Sequence, residues 1–211
     1  MDDRGRVLRS HSAAALLDGA MLAAQLVRTF VPSSRQLSAR VRREATALRR
    51  ECDGRSLPTC ARLLAERLHD RLGLHGGHAV EVDVEDVLVD RALARGVGVP
   101  VSLSLVYLLV ARWAGLSAAG VALPDHFLVR LHGPRPVLLD PFHGGRTITK
   151  TDCARYLRAN GHDRVNGHLR DLTDPAERIH YVRGLQRAAR RSAVPEAQVS
   201  LGEALSLLES S

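Results

Sequence analysis

Residues 98–146 read GVPVSLSLVYLLVARWAG (98–115), then AAGVALPDHFLVRL (118–131), then VLLDPFHGGR (137–146), with short polar connections between the three segments. Pro100 lacks an N–H group and fixes φ near a helical value, so it suits the first turn of a helix. Between Pro100 and Gly115, apolar side chains cover nearly the whole circumference, which is typical of a buried helix. The sequence therefore predicts a central, buried helix over about 101–114, with Gly115 ending it.

Three short apolar runs follow this helix. They are Ala118–Leu123, His126–Leu131 and Val137–Asp140. A Pro-Asp dipeptide separates the first two and a Gly-Pro dipeptide lies between the last two, and both dipeptides favour turns. The sequence predicts three strands joined by tight turns and packed against the central helix, which is an α+β fold.

Two polar residues occupy the ends of these strands. His126 opens the second strand and Asp140 closes the third. Neighbouring antiparallel strands place such ends side by side, so we expect the two side chains within hydrogen-bond reach, with Asp140 orienting the imidazole. The first turn of the central helix, near Ser102, is a third candidate position. Free N–H groups and the positive end of the helix dipole favour an anionic nucleophile or an oxyanion there.

The three segments together resemble a known family, the SirB1-type branch of the transglutaminase-like superfamily. Members carry a Gly-Ile-Pro-(Ile/Val)-Ser-Leu helix start, a Pro-Gly-His-Phe-Leu-Val-Arg strand and an Asp-Pro-Phe-(Asn)-Gly-Gly-Arg segment. The matching segments here are Gly98-Val99-Pro100-Val101-Ser102-Leu103, Pro124-Asp125-His126-Phe127-Leu128-Val129-Arg130 and Asp140-Pro141-Phe142-His143-Gly144-Gly145-Arg146.

The resemblance implies a papain-like α+β core. Enzymes of the superfamily use a Cys at the start of the central helix, a His on one strand and an Asp on the next. His126 and Asp140 match the last two positions, whereas the Cys position falls near 100–102, where this chain has no Cys. The resemblance therefore implies a persisting cleft without the family's thiol nucleophile.

Two functional hypotheses follow from these residues. The first is a non-catalytic or weakly catalytic module that binds a peptide, protein or small-molecule ligand and retains the His126–Asp140 pair. The alternative is an acyl-transfer enzyme or an amide or ester hydrolase, in which Ser102 or water attacks and His126 with Asp140 acts as the base. The missing Cys favours the first hypothesis. No cofactor is expected in either.

A metal site is a further possibility for the histidines. His126 and His132 share one face of their strand, and with Asp140 they could ligate a metal. The acids at 81–86 follow a glycine-rich turn and raise the same question. No fixed spacing of ligands, such as H-E-x-x-H or an EF-hand loop, supports either site. The favoured interpretation makes His132 a strand-end residue, His143 a turn residue and the acids part of a loop before a helix over 84–94, with no metal.

The length of 211 residues suits one core with helical additions. The expected division is an N-terminal helical layer (1–72), a transglutaminase-like core (73–158) and a short C-terminal helical tail (159–211). Helices are predicted over 12–30, 35–51, 58–72, 175–191 and 196–208. The cysteines match neither a zinc site nor a disulfide framework; they are Cys52, Cys60 and Cys153.

The net charge of +7 comes from arginine spread along the chain, since Lys150 is the only lysine. Aromatic residues make up 3% of the chain, too few for base stacking to be a general feature, so nucleic acid is not an expected partner. No apolar run is long enough to span a membrane, and the acidic start of the chain lacks a signal-peptide pattern. We therefore expect a cytoplasmic protein with no membrane partner.

Overall fold

The computed structural model describes residues 3–27, 34–77, 82–162, 165–191 and 195–209. Its helices are α1 (Asp3–Gln25), α2 (Ser34–Cys52), α3 (Leu57–Ala65), α4 (Val84–Val87), α5 (Val89–Arg95), α6 (Pro100–Trp113), α7 (Lys150–Ala159), α8 (Val165–His168), α9 (Asp174–Arg191) and α10 (Pro195–Glu209). Its strands are β1 (His75–Gly76), β2 (Val97–Gly98), β3 (Ala118–Leu123), β4 (His126–Leu131), β5 (Val137–Asp140) and β6 (Arg146–Ile148). This mixture of helices and small sheets confirms the predicted α+β class.

Helix α6 is the centre of the fold. It starts at Pro100, and every residue from Val101 to Arg112 is buried. Gly115 follows the helix with a positive φ of 91°, a conformation that ends helices readily. The predicted central helix is confirmed, because an all-round apolar surface requires neighbours on every side.

The main sheet packs against this helix and has the antiparallel order β3-β4-β5-β6. The three predicted strands have the bounds expected from their turn residues. Strand β6 was not predicted, because three residues are too few to show an alternating pattern. Strands β1 and β2 form a separate, two-residue parallel pair.

The helical predictions outside the core need corrections. Helix α1 begins well before residue 12 and ends at Gln25, and residues 28–30 of the predicted helix lie outside the described ranges. Helix α3 passes into a π-helical turn, Glu66–Arg71. The predicted helix over 84–94 is two short helices, because Leu88 between them has an extended backbone conformation.

Helix α9 is tied to the core by a buried ion pair. Glu177 is fully buried, and its Oε1 accepts hydrogen bonds of 2.7 Å from Arg112 Nη2 of α6 and from the Gly120 N–H of β3. This contact places the start of α9 beside the last turn of α6, and Gly184, farther along α9, lies near Val101 in the first turn of α6, where the two helices line a cleft. Within the described ranges, no helix has both the length and the apolar composition of a membrane-spanning segment.

Candidate functional site

His126 and Asp140 lie side by side on neighbouring strands. Pairing of Val129 with Leu139 brings the end of β5 next to the start of β4. The His126 Nε2 atom is 3.0 Å from Asp140 Oδ1, so the predicted contact between the two side chains is present. When Nε2–H donates to the carboxylate, the neutral ring carries its lone pair on Nδ1. The pair therefore presents an oriented imidazole that can accept a proton.

A second imidazole contacts the same carboxylate. His143 Nδ1 lies 2.7 Å from Asp140 Oδ2, and the His143 N–H donates to Asp140 Oδ1 at 3.3 Å. Both contacts come from a tight 3-10 turn, Pro141–His143, that follows β5 directly. Sequence reasoning treated His143 as a plain turn residue. The i, i+3 spacing after an Asp-Pro dipeptide was the signal that could have revealed its contact with Asp140.

The turn is closed by Gly145, for which glycine is required. Its φ is +71°, and a Cβ at this position would lie 2.6 Å from the Tyr107 hydroxyl oxygen. The Gly145 N–H donates to the Asp140 carbonyl oxygen at 2.8 Å, which fixes the backbone of the acid. The position of Asp140 is therefore set by the packing of the turn against the central helix.

Asp140 is held as a carboxylate in spite of its burial. It is 2% exposed, and this desolvation alone would raise its pKa. Hydrogen bonds and charge interactions with His126 and His143 outweigh the desolvation and hold the pKa of Asp140 below its usual value. The site thus concentrates negative charge between two imidazoles.

The lowered pKa predicts a pH-dependent contribution to stability. In the unfolded chain the pKa of Asp140 is about 3.9, which is above its pKa in the folded protein. At an acidic pH, Asp140 is therefore protonated to a greater extent in the unfolded chain than in the folded protein. The stabilisation is therefore present above about pH 4 and is lost as the pH falls through the lower folded-state pKa. We expect the unfolding free energy of Asp140→Asn to fall less between about pH 5 and pH 2 than that of the wild type. Urea unfolding at several pH values checks this, and parallel curves for the two proteins would contradict it.

Two neighbouring cavities share the wall that carries His126. The larger has a volume of about 570 Å³ and reaches across to α9. The smaller has a volume of about 290 Å³ and contains Asp140 and His143. Residues that line both are Val82, Val99, Pro100, Leu123, Asp125 and His126. The first turn of α6 and the start of β4 thus form the common edge of a two-lobed cleft.

The two lobes differ in character. In the larger lobe, burial and the nearby Arg187 and Arg183 lower the pKa of His180 to about 4, so its imidazole is neutral near pH 7. Arg187 and Arg191 also line this lobe. The smaller lobe is bounded by the rings of Phe142 and Tyr156, which both lie within 6 Å of the His126 ring, at 5.9 and 5.8 Å. Sequence reasoning did not identify these rings.

Ser102, the nucleophile of the alternative hypothesis, does not line either lobe of the cleft. Its side chain is fully buried. The hydroxyl accepts a hydrogen bond from the Val99 N–H at 3.1 Å and lies 3.0 Å from the Val99 carbonyl oxygen. A Cβ on Gly98 would lie 2.7 Å from this hydroxyl, so the backbone also closes over it. Ser102 therefore caps the start of α6, and its geometry does not support nucleophilic attack in the cleft.

The capping role gives a direct prediction for Ser102→Ala. The substitution removes the acceptor for a helix-terminal N–H group, so we expect it to lower the unfolding free energy by about 1 kcal/mol. Ligand binding or hydrolysis by the folded variant should be unchanged. Urea unfolding and an activity measurement on the same preparation check both parts. A folded variant that selectively loses activity would restore Ser102 as a candidate nucleophile.

Cys153 borders the smaller lobe but has the properties of a structural thiol. It is 1% exposed and packs with Val121, Leu128 and Leu157. Burial, followed by the charge of Asp152, raises the pKa of its thiol. A protonated, buried thiol is a poor nucleophile. The geometry therefore gives no support to Cys153 as a replacement for the missing cysteine.

The structure shows where the residues of the two metal sites considered from the sequence lie. His132 lies away from the pair, and its Nε2 is 3.2 Å from Asp171 Oδ2. Of the loop acids, Asp83 caps α4 by accepting a hydrogen bond from the Asp86 N–H at 3.0 Å, and Glu81 lies outside the described ranges. Among described residues, the group that brings donor atoms close together is His126, Asp140 and His143.

Comparison with known proteins agrees with this architecture. The chain is 34% identical over 105 residues to a UPF0162 protein of Xylella fastidiosa, which covers 49% of this chain and 36% of that protein. It is 34% identical over 74 residues to a UPF0162 protein of Vibrio cholerae, covering 34% and 27% of the two chains. It is 30% identical over 95 residues to F-box only protein 21 of Mus musculus, covering 41% and 15%. No solved structure matches the chain.

The chain spans only about a third of the length of the first of these curated relatives, the Xylella fastidiosa protein. A family model gives the broader match, since the model of the transglutaminase-like superfamily covers residues 33–186. That segment contains the central helix, the four-stranded sheet, the two imidazoles and Asp140. It also covers well over half of the chain, so this protein belongs to the transglutaminase-like superfamily.

Proposed function

We propose that the chain is a SirB1-type member of the superfamily whose cleft binds a peptide or small-molecule ligand, with little or no catalysis. The single observation that carries the proposal is the composition of the cleft edge on α6. The residues of that edge are Val99, Pro100 and Val101, and none has a nucleophilic atom. The oriented imidazole of His126 lines the same two lobes as Val99 and Pro100, so a base is retained in a cleft whose helix edge offers nothing to deprotonate.

The size and lining of the cleft suit binding. Lobes of about 570 and 290 Å³ fall near the range of about 300–1,000 Å³ that is usual for ligand pockets. The larger lobe offers guanidinium groups and the smaller offers aromatic rings and the Asp140 carboxylate. A short peptide with one polar and one apolar side chain would contact both lobes.

The proposal is tested by NMR titration with a short glutamine-containing peptide, chosen because its side-chain amide is a group on which an acyl-transfer enzyme or amide hydrolase can act. Binding should shift the backbone signals of residues along the cleft, without conversion of the peptide. His126→Ala should weaken binding. His132→Ala is the matched control, because His132 directly follows the same strand but pairs with Asp171. Signal changes confined to other surfaces, or equal weakening by both substitutions, would overturn the proposal.

A second candidate function is hydrolysis by an activated water molecule. It is favoured by one observation, the Nε2 contact with Asp140, which leaves the lone pair of His126 on Nδ1 for a water molecule. In that case the same peptide should release ammonia, His126→Ala should abolish the release, and Ser102→Ala should preserve it. Absence of His126-dependent ammonia release rejects this second function and leaves the binding proposal as the one to pursue.

A further inference from the structure

We propose that His126, Asp140 and His143 form a binding site for a divalent transition metal, with zinc as the ion that the donor set suits best. This inference does not depend on the identity of the cleft's ligand. It rests on three side chains that approach one another from two strands and a turn. Their donor atoms all lie within 4.8 Å of one another.

The chemistry of the donors points to a transition metal. Two imidazole nitrogens and one carboxylate oxygen are ligands that zinc and its neighbours bind in open, three-residue sites. Zinc–nitrogen bonds are about 2.0–2.1 Å, so tetrahedral donors lie about 3.4 Å apart. The contacts of Asp140 with His126 (3.0 Å) and with His143 (2.7 Å) are already slightly shorter than this. The donor atoms of the full set lie within 4.8 Å of one another, so the two rings need to move closer together when an ion binds.

The supporting structure holds the carboxylate in place and leaves one side accessible. Asp140 is buried, and its backbone is fixed by the Gly145 N–H. The His143 side chain is 47% exposed, which gives an ion a path to the site. The smaller lobe lies over the same atoms. Three protein ligands would leave one coordination position open toward that lobe, for water or for a donor atom of a ligand.

One group opposes the ion. Arg146 Nη2 is 3.6 Å from Asp140 Oδ2, and a cation bound between the imidazoles would be repelled by it. The Arg146 side chain is 62% exposed, so it can turn into solvent when the ion enters. Removing this charge should therefore strengthen binding, an effect opposite to that of removing a ligand.

The test is a zinc titration of the full chain, read out by competition with a chromogenic chelator. We expect one ion per chain. Relative to the wild type, zinc should bind at least about tenfold more weakly to His143→Asn and more tightly to Arg146→Ala. His143→Asn should fold normally because the side chain is half exposed, and circular dichroism verifies this. His162→Asn is the control, since His162 and His168, with ring centroids 5.2 Å apart, form another histidine pair.

Two outcomes would overturn the proposal. One is an affinity that is the same in His143→Asn as in the wild type. The other is a loss in His162→Asn as large as that in His143→Asn, which would place the ion at the second histidine pair. Cobalt provides an independent readout, because ligand-field absorption in the visible range should appear in the wild type and disappear in His143→Asn. A spectrum that survives this substitution also counts against the site.

Discussion

Replacement of Glu177 by alanine is expected to lower the unfolding free energy by about 3 kcal/mol, because it removes the buried carboxylate partner of Arg112 and leaves only the partly exposed Asp174, 3.2 Å from Arg112 Nη1. Glu177 is fully buried, and Arg112 is 6% exposed. Burial raises the pKa of Glu177, although the Arg112 charge opposes this. The same carboxylate accepts the Gly120 N–H, so one substitution removes a buried hydrogen bond from α9 to the central helix and another to the sheet.

Urea unfolding monitored by circular dichroism measures this effect. Glu209→Ala is the matched control, since the Glu209 carboxylate pairs with Arg183 at 2.6 Å on an exposed surface. Exposed pairs contribute about 0–1 kcal/mol, so the control should lose little. Glu177→Gln should lie between the two, because its amide oxygen can still accept a hydrogen bond. If Glu177→Ala and Glu209→Ala lose the same amount, the proposed connection between α9 and the core is wrong.

The second large effect is expected from Pro100→Cys, which places a thiol on the cleft edge of α6. The new thiol would lie at a helix N-terminus and in the same cleft as His126, and a helix N-terminus or a neighbouring protonated imidazole lowers a thiol pKa. A free thiol with a pKa of about 8.5 is about 3% thiolate at pH 7, whereas a pKa of about 7 gives about half. We therefore expect iodoacetamide to label this variant about tenfold faster than an ordinary exposed thiol at pH 7.

The rate of iodoacetamide labelling is measured from pH 5 to about pH 9, and Val199→Cys is the control for an ordinary exposed thiol. Val199 is 64% exposed on α10 and lines neither lobe of the cleft. The native thiols should add little background, because burial raises the pKa of Cys52 to about 12 and raises that of Cys153. The acceleration should be reduced in Pro100→Cys combined with His126→Ala. Equal rates for Pro100→Cys and Val199→Cys would show that the cleft edge does not activate a nucleophile.

The core of the fold could be predicted from the sequence because its boundaries are marked chemically. Pro100 and Gly115 mark the ends of the central helix, and the dipeptide at 124–125 marks the first strand turn. Asp125 adopts a positive φ of 52° there, which Asp tolerates better than most residues. Strand β6 lacks such marks, and its strand conformation depends on pairing with β5. Tertiary contacts of this kind have no local signal.

The site was only partly predictable for a related reason. Contact between His126 and Asp140 followed from the strand order, which the turns determine. The orientation of Ser102 depends on the rotation of α6 about its axis, and the hydroxyl turns inward to accept the hydrogen bond from the Val99 N–H. The contact of His143 depends on a tight turn that reverses the chain within three residues. Both are decided by backbone geometry that spacing alone does not specify.

In the proposed function, the cleft retains an oriented base but no native nucleophile that works with it. Residue-resolved mass spectrometry tests this most directly, after wild type and His126→Ala are treated at neutral pH with iodoacetamide and, separately, with a serine-directed fluorophosphonate. We expect slow adducts that form at the same rates in both proteins. A rapid adduct on Cys153 or Ser102 in the wild type that is lost in His126→Ala would contradict it.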